Sequence, residues 1–237
     1  DVARQGYQIL LVGHADHQEV IGTRGEAPDH IQVVEHPDDI PTLRITDPAR
    51  LVYLTQTTLS LDDAGVIIDA LKRAFPLIKE PPSSDICYAT TNRQLAVRAI
   101  APECDLVLVI GSTNSSNSVR LTEIALASGT PSHLIDDVSH LDPAWFPTGE
   151  ETVLITAGAS APEHLVQELC RTLLARYAGT IEQRDLFNED VTFALPAGLR
   201  KIMAQRGITA TTVHVALPPI TAQAYGAVPL TVSAKQP

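Results

Sequence analysis

The chain has 237 residues, and its 17 basic against 28 acidic side chains give a net charge of −11, which argues against sequence-independent binding to nucleic acid. Apolar residues make up 44% of the chain, enough for a folded core. No apolar stretch approaches the roughly 20 residues of a membrane-spanning helix, and three widely spaced cysteines argue against a disulfide scaffold.

Four short apolar runs predict buried strands, and each is followed by a loop of small polar residues. The runs cover residues 7–12, 51–54, 106–110 and 152–155. Continuous apolar runs between turn signals are typical of strands that are buried on both faces, as in parallel sheets.

Helical patterns follow these loops. Ser60 is a predicted N-cap, and apolar residues recur at helical spacing after it. A second helix is predicted from Ser116 to Ala127 with Gly129 as its stop, and a third begins at Pro162. Strands that alternate with helices of this length predict an α/β fold.

A stretch rich in proline and serine at residues 79–84 divides the pattern into two parts. Each part predicts a small α/β domain with a parallel sheet, and the two domains should be similar. The pattern weakens after residue 178, and the last thirty residues are dominated by alanine, threonine and proline, which is typical of a flexible tail. The predicted regions are two domains at 1–80 and 84–178, a C-terminal extension at 179–206 and a flexible tail at 207–237.

The polar loops carry side chains that suit an anion. Because ligands bind outside the carboxyl ends of parallel strands, these loops should converge at one edge. Ser115, Ser116, Asn117 and Ser160 stand at or just before predicted helix N-termini, where free backbone N–H groups and the helix dipole favour phosphate or carboxylate. N-capping explains any one of these loops by itself; four loops at one edge favour an anion site.

The loop after the first strand contains His17 and Glu19, one residue apart. A histidine beside a carboxylate can bind an anionic group while the acid relays a proton. A solvated polar loop explains the same residues equally well. Metal binding by His14 and His17 is a weaker alternative, because this spacing in a loop is a poor ligand signal.

The cysteines differ in their surroundings. Cys87 stands directly before a helical pattern, a position that favours thiolate chemistry or metal ligation. Cys104 and Cys170 are explained by packing. Since no pair has CxxC spacing, the sequence contains no complete metal site.

Five segments carry a family resemblance in order along the chain: His14–Gly25, Thr55–Ser60, Asp85–Gln94, Gly111–Ser118 and Thr156–Pro162. They resemble the signature segments of the 4-hydroxy-3-methylbut-2-enyl diphosphate reductase family (IspH/LytB), over residues 1 to about 200. The family reduces an allylic alcohol with two electrons and two protons, giving isopentenyl diphosphate and dimethylallyl diphosphate in the non-mevalonate isoprenoid pathway.

The resemblance implies a role for each matching residue. Cys87 matches one of three cysteines that hold a [4Fe-4S] cluster. Glu19 matches the acid of a proton relay, His17 a diphosphate ligand, and Thr57 a threonine near the substrate hydroxyl. The residues that match the diphosphate cradle are Ser115, Ser116, Asn117 and Ser160.

The resemblance also implies a missing part. Family members have a further upstream α/β domain that contributes two more cluster cysteines and two more histidines, so the chain is expected to be the remainder of a three-domain enzyme. Neither Cys104 nor Cys170 matches a cluster position. We therefore expect the chain alone to hold no stable cluster and to be inactive.

Two other functions remain open. A degenerate, non-catalytic diphosphate-binding module would keep the cradle without the redox chemistry. A generic α/β hydrolase has less support, because the sequence contains neither GxSxG nor a P-loop. For a reductase, the resemblance implies ferredoxin or flavodoxin as electron donor and a cytoplasmic location, with no nucleic-acid or membrane partner.

Overall fold

In a computed structural model of the chain, the predicted strands assemble into parallel sheets flanked by helices, which confirms the α/β prediction. The structure describes residues 2–81, 85–187, 195–208 and 230–234. The chain divides into two compact units, residues 1–169 and 170–237.

The first sheet has three parallel strands in the order β2-β1-β3. Its central strand β1 places Leu10 between Gln32 of β2 and Tyr53 of β3. The elements of this part are β1 (Gln8–Val12), α1 (Gln18–Glu26), β2 (Ile31–Val34), β3 (Leu51–Thr55) and α2 (Leu61–Ala74).

The second sheet repeats this arrangement, with three parallel strands in the order β5-β4-β6. In both sheets the strand that comes first in sequence is central, which places the loops after strands one and three side by side. The elements are α3 (Tyr88–Ile100), β4 (Leu106–Ile110), α4 (Ser116–Ala127), β5 (Ser132–Ile135), β6 (Val153–Ala157) and α5 (Glu163–Tyr177).

The central strands read as continuous apolar runs because both faces of each sheet are covered. In β1, Leu10 and Val12 pack in a core cluster with Leu71 of α2. Ile9 and Leu11 lie in a separate cluster with Val20 of α1. In the second sheet, every residue of β4 is buried.

The edge strands β2 and β5 were not predicted from the sequence. Each has only four residues, and only its first and last residues are buried. Each has one polar side chain at its second position: the Gln32 side chain accepts a hydrogen bond from the Arg44 backbone N–H at 2.9 Å, and His133 stacks on Trp145 with ring centres 3.8 Å apart. These short edge strands therefore lack the apolar run that marks a central strand.

The second unit contains a parallel pair of strands that the sequence pattern also failed to predict. The strand β7 (Ile181–Asp185) has one apolar residue and three charged ones, so it lacks the apolar pattern of a strand, and it pairs with β8 (Leu230–Ala234). The helix α6 (Ala197–Gln205) lies between them in sequence. The strand β8 falls inside the predicted tail, and residues 209–229 and 235–237 of that tail lie outside the described residues. Within the described ranges, no helix is both long enough and apolar enough to cross a bilayer.

Candidate functional site

The helix α3 ties the loop after β3 to the end of β6. Gln94, fully buried, donates from Nε2 to the Leu59 carbonyl at 2.7 Å and accepts from the Leu61 N–H at 3.0 Å. Arg93 donates from Nε to the Ala157 carbonyl at 3.1 Å. The polar loops of both sheets are thereby fixed to one helix, at the carboxyl edge that the sequence predicted for the anion site.

Glu19 and Thr57 form a two-point contact across the first sheet. The Thr57 N–H donates to Oε1 of Glu19 at 3.0 Å, and the Thr57 hydroxyl donates to Oε2 at 2.9 Å. Both residues are partly exposed. The structure thus joins two residues that are 38 positions apart in the sequence, and it leaves their polar atoms in reach of a ligand.

His17 is the N-cap of α1, where its Nδ1 accepts the Glu19 N–H at 3.3 Å. Because Nδ1 is the acceptor, a neutral imidazole carries its proton on Nε2. The ring therefore keeps Nε2–H as a hydrogen-bond donor that this cap does not use.

Cys87 lies against the same threonine. Its backbone N–H donates to the Thr57 carbonyl at 3.1 Å, and it stands at the N-cap of α3 without a side-chain capping bond. The residue is exposed. Thr57 therefore connects the carboxylate of Glu19 to the segment that carries the thiol.

Two residues that position these loops were missed by the sequence reasoning. Gln56 is buried; its Oε1 accepts the His14 N–H at 3.1 Å, and its Nε2 donates to the Thr58 hydroxyl at 2.9 Å. Asp85 accepts the Thr55 N–H at 3.1 Å. Both lie inside segments that carry the family resemblance, but nothing in the sequence distinguished them from the other polar residues there.

Burial raises the pKa of the Asp85 carboxyl above its ordinary value. The hydrogen bond from the Thr55 N–H opposes this change in pKa, and the negative charge of Glu19 adds to it. The part of the site that contains Glu19 and Asp85 is therefore acidic. A cationic or proton-donating neighbour there would relieve the repulsion between these two carboxylates.

The other part of the site, which contains the predicted cradle residues, is built around the first turn of α4. Ser115 is its N-cap, and Ser115 Oγ accepts from the Ser118 N–H at 3.4 Å and from the Ser118 hydroxyl at 3.0 Å. The turn packs closely on Gly111 and Gly158, because a Cβ built on either glycine would lie 2.2 Å from Ser118 Oγ. The glycines thus allow the helix end to meet the ends of β4 and β6.

Asn117 is the most unusual polar residue of this turn. Only 4% of it is exposed, yet within the described residues neither its Oδ1 nor its Nδ2 has a hydrogen-bond partner. Nδ2 lies 3.8 Å from a Cβ built on Gly158, so the amide faces that turn. Buried polar atoms are nearly always paired, so this amide is consistent with a site that a ligand completes.

The remaining predicted cradle residues lie at the same two loops. Ser116 is the first residue of α4, and Ser160 is exposed in the turn between β6 and α5. The structure therefore places Ser115, Ser116 and Asn117 on one helical turn, with Ser160 two residues beyond the Gly158 that this turn contacts.

The described residues do not fit an iron–sulfur cluster that needs three thiolates. Among them, no group of three or more histidine, cysteine, aspartate or glutamate side chains is placed to hold a metal ion. Cys104 precedes β4, at the opposite edge of the sheet from the polar loops, and its thiol donates to the Ile100 carbonyl at 3.5 Å. Cys170 is buried in α5. Cys87 is the one thiol at the site.

Comparison with known proteins identifies the family. A family model described as LytB protein matches residues 1–174. The chain belongs to the LytB family. This confirms the resemblance inferred from the five sequence segments, and the LytB match includes all of the polar loops described above.

Individual LytB relatives agree with this. The chain is 50% identical over 199 residues to a 4-hydroxy-3-methylbut-2-enyl diphosphate reductase of Mycobacterium sp. (strain KMS), covering 84% of this chain and 60% of the relative. It is 49% identical over 206 residues to the protein of that name from Acidothermus cellulolyticus, and the match covers 86% of this chain and 60% of that relative. The chain thus spans about 60% of the length of these curated relatives.

A solved structure agrees in fold. The E-1-hydroxy-2-methyl-but-2-enyl-4-diphosphate reductase of Plasmodium falciparum matches with a TM-score of 0.73 and 34% identity. The match covers 86% of this chain and 65% of that one. The parallel α/β architecture is therefore shared with that reductase structure.

Proposed function

We propose that this LytB chain carries the substrate-binding and proton-relay part of a 4-hydroxy-3-methylbut-2-enyl diphosphate reductase. The reaction removes the allylic hydroxyl and yields isopentenyl diphosphate and dimethylallyl diphosphate. The observation that carries the proposal is the buried, unpartnered amide of Asn117 at the N-terminus of α4.

The substrate's diphosphate binds at the first turn of α4. Free N–H groups and the dipole at a helix N-terminus favour an anion, and Nδ2 of Asn117 donates a hydrogen bond to it. Hydroxyls from the same turn and from the β6–α5 loop complete the cradle. The cradle residues are Ser115, Ser116, Asn117 and Ser160.

His17 contributes a donor from the other sheet. Its Nδ1 is engaged by the Glu19 N–H, which leaves Nε2–H for a diphosphate oxygen. Because the imidazole is held at Nδ1, it keeps the orientation needed for that contact before the substrate arrives.

Glu19 and Thr57 move the proton that the leaving hydroxyl needs. When Glu19 is protonated, its Oε2 hydrogen lies on the 2.9 Å contact to the Thr57 oxygen, and the Thr57 hydroxyl can then donate to the substrate oxygen. Departure of the hydroxyl as water instead of hydroxide lowers the barrier to breaking the C–O bond. These two residues are the proposed catalytic pair.

The electrons require a redox group that the described residues do not themselves hold. The family implies a [4Fe-4S] cluster supplied with electrons by ferredoxin or flavodoxin. We propose Cys87 as one of its ligands, with the other thiolates coming from protein outside these 237 residues.

The isolated 237-residue chain is accordingly expected to bind no stable cluster and to leave the substrate unreduced. After anaerobic incubation with iron and sulfide, followed by desalting, its visible spectrum should be the same as that of a Cys87→Ser variant. A stable visible absorption band that disappears in Cys87→Ser would contradict this expectation.

Anion binding does not need the cluster, so the isolated chain can test the cradle. In a calorimetric titration with inorganic diphosphate, Asn117→Ala should weaken binding by about tenfold or more, the effect of one hydrogen bond to a charged group. Asn114→Ala removes an exposed amide from the same loop and should leave the affinity unchanged. Equal affinity of the Asn117→Ala variant and the unaltered chain would contradict the proposed cradle.

The single thiol at the site also favours a second candidate, a diphosphate-binding module without redox chemistry. Both functions predict that Asn117→Ala weakens diphosphate binding, but only the reductase converts the substrate. Reduction of the substrate, once the family's remaining segment is supplied, separates them.

A further inference from the structure

We propose that Ser118 is a positioning residue that turns the Ser115 hydroxyl into a dedicated hydrogen-bond donor for the bound diphosphate. This inference rests on the proposed function, because it assumes that the first turn of α4 holds the anion. It concerns a residue to which neither the sequence pattern nor the family resemblance assigned a role.

Ser118 is enclosed by the backbone around it. Only 1% of the residue is exposed, and its Oγ lies 2.2 Å from the position that a Cβ would take on either Gly111 or Gly158. Within the described part of the chain, the acceptor for its hydroxyl proton is Ser115 Oγ, at 3.0 Å. The hydroxyl has no room to rotate toward water.

The opposite direction of this hydrogen bond is disfavoured. If Ser115 donated to Ser118, the buried Ser118 proton would have no acceptor, and an unpaired buried donor is costly. Donation from Ser118 to Ser115 gives this buried proton an acceptor. The enclosure of Ser118 therefore fixes the direction of the bond.

Ser115 Oγ then accepts two hydrogen bonds, from the N–H and from the O–H of Ser118. A hydroxyl oxygen has two lone pairs and one proton, so only the proton of Ser115 is left for a ligand. A group of this kind binds oxygens that can only accept, as those of a diphosphate do, and discriminates against ligands that must donate.

A double-mutant cycle on diphosphate affinity tests the role. Ser118→Ala should weaken the binding of inorganic diphosphate about five- to tenfold, because Ser115 is then free to rotate its proton away. In the Ser115→Ala background the same change should have no further effect. If Ser118 only packs, Ser118→Ala should lower the affinity equally in both backgrounds, and that result would overturn the proposal. An unchanged affinity for Ser118→Ala in the otherwise unaltered chain would also overturn it.

A matched control comes from the other end of the helix. The Ser128 hydroxyl donates to the Ile124 carbonyl at 2.8 Å. Ser128→Ala therefore also removes one serine hydrogen bond from α4, and it should leave the diphosphate affinity unchanged. An equal loss of affinity in this variant would show that any weakening of α4 lowers binding, and it would overturn the specific role of Ser118.

A second measurement does not depend on the ligand. Ser115→Ala leaves the Ser118 hydroxyl buried without an acceptor, so Ser115→Ala/Ser118→Ala should unfold at a higher denaturant concentration than Ser115→Ala alone. A lower midpoint for the double variant would overturn the proposed direction of the bond. A chain that binds no diphosphate would contradict the proposed function, while this comparison still decides the direction of the Ser118–Ser115 hydrogen bond.

Discussion

Replacing Gly158 by alanine is expected to destabilise the protein by about 1–3 kcal/mol, the usual cost of overpacking a closely packed interior. The new Cβ would lie 2.2 Å from Ser118 Oγ. Gly158 is not among the described glycines with a positive φ, so the backbone itself accepts alanine. The loss of unfolding free energy is measured by denaturant unfolding, followed by the fluorescence of Trp145, the only tryptophan in the chain.

The same clash predicts a rescue. In Ser118→Ala the new methyl at position 158 would meet Ser118 Cβ at 3.5 Å, an ordinary contact, so the double variant should recover most of the stability lost in Gly158→Ala. Gly111→Ala is the matched control, because its Cβ would still lie 2.6 Å from Ser118 Cβ. Rescue at position 111 as strong as at 158, or a Gly158→Ala variant as stable as the unaltered chain, would contradict the packing described for this turn.

Replacing Glu19 by glutamine is expected to lower the turnover of the complete reductase by about 10²- to 10⁴-fold, the range for loss of a general acid. The amide oxygen of glutamine can still accept the Thr57 N–H, so the loop should keep its conformation. The amide nitrogen cannot accept from the Thr57 hydroxyl or deliver a proton to it. The effect should therefore fall on kcat, with a much smaller change in KM.

This measurement needs the chain joined to the segment that its Mycobacterium relative has beyond the matched region. Substrate reduction is followed anaerobically with a chemical reductant, which removes any dependence on the electron donor. Glu26→Gln is the control, since Glu26 is exposed at the end of the same helix. Turnover of Glu19→Gln within about tenfold of the unaltered protein would exclude Glu19 as the general acid.

The sequence predicted the parts of the fold whose physical signal is local. The central strand β4 is a run of five apolar residues, and α4 begins at a serine cap and is followed by Gly129 with φ of 86°, as predicted. The edge strands β2 and β5 were not predicted because each has only four residues, with a polar residue, Gln32 or His133, at its second position and only its two ends buried. Short edge strands are specified by their neighbours more than by their own composition.

The features of the site also fall into those that the sequence predicted and those that it did not. Residue types that suit an anion and a proton relay were visible in the loops, because serine, asparagine and histidine are recognisable donors. The burial of Asn117 and the enclosure of Ser118 were not visible. The enclosure of Ser118 depends on Gly111 and Gly158, which are 47 positions apart in the sequence and both approach this one helical turn. The two-point contact from Thr57 to Glu19 is equally non-local.

The most direct test of the proposed reductase is the anaerobic conversion of 4-hydroxy-3-methylbut-2-enyl diphosphate by the chain joined to the remaining segment of its Mycobacterium relative. The joined protein should hold a cluster that requires Cys87 and should form isopentenyl diphosphate and dimethylallyl diphosphate when a reductant is supplied. If the joined protein holds the cluster and binds inorganic diphosphate but leaves the substrate unreduced, the chain is a diphosphate-binding module and the proposed catalytic role of Glu19 and Thr57 is wrong.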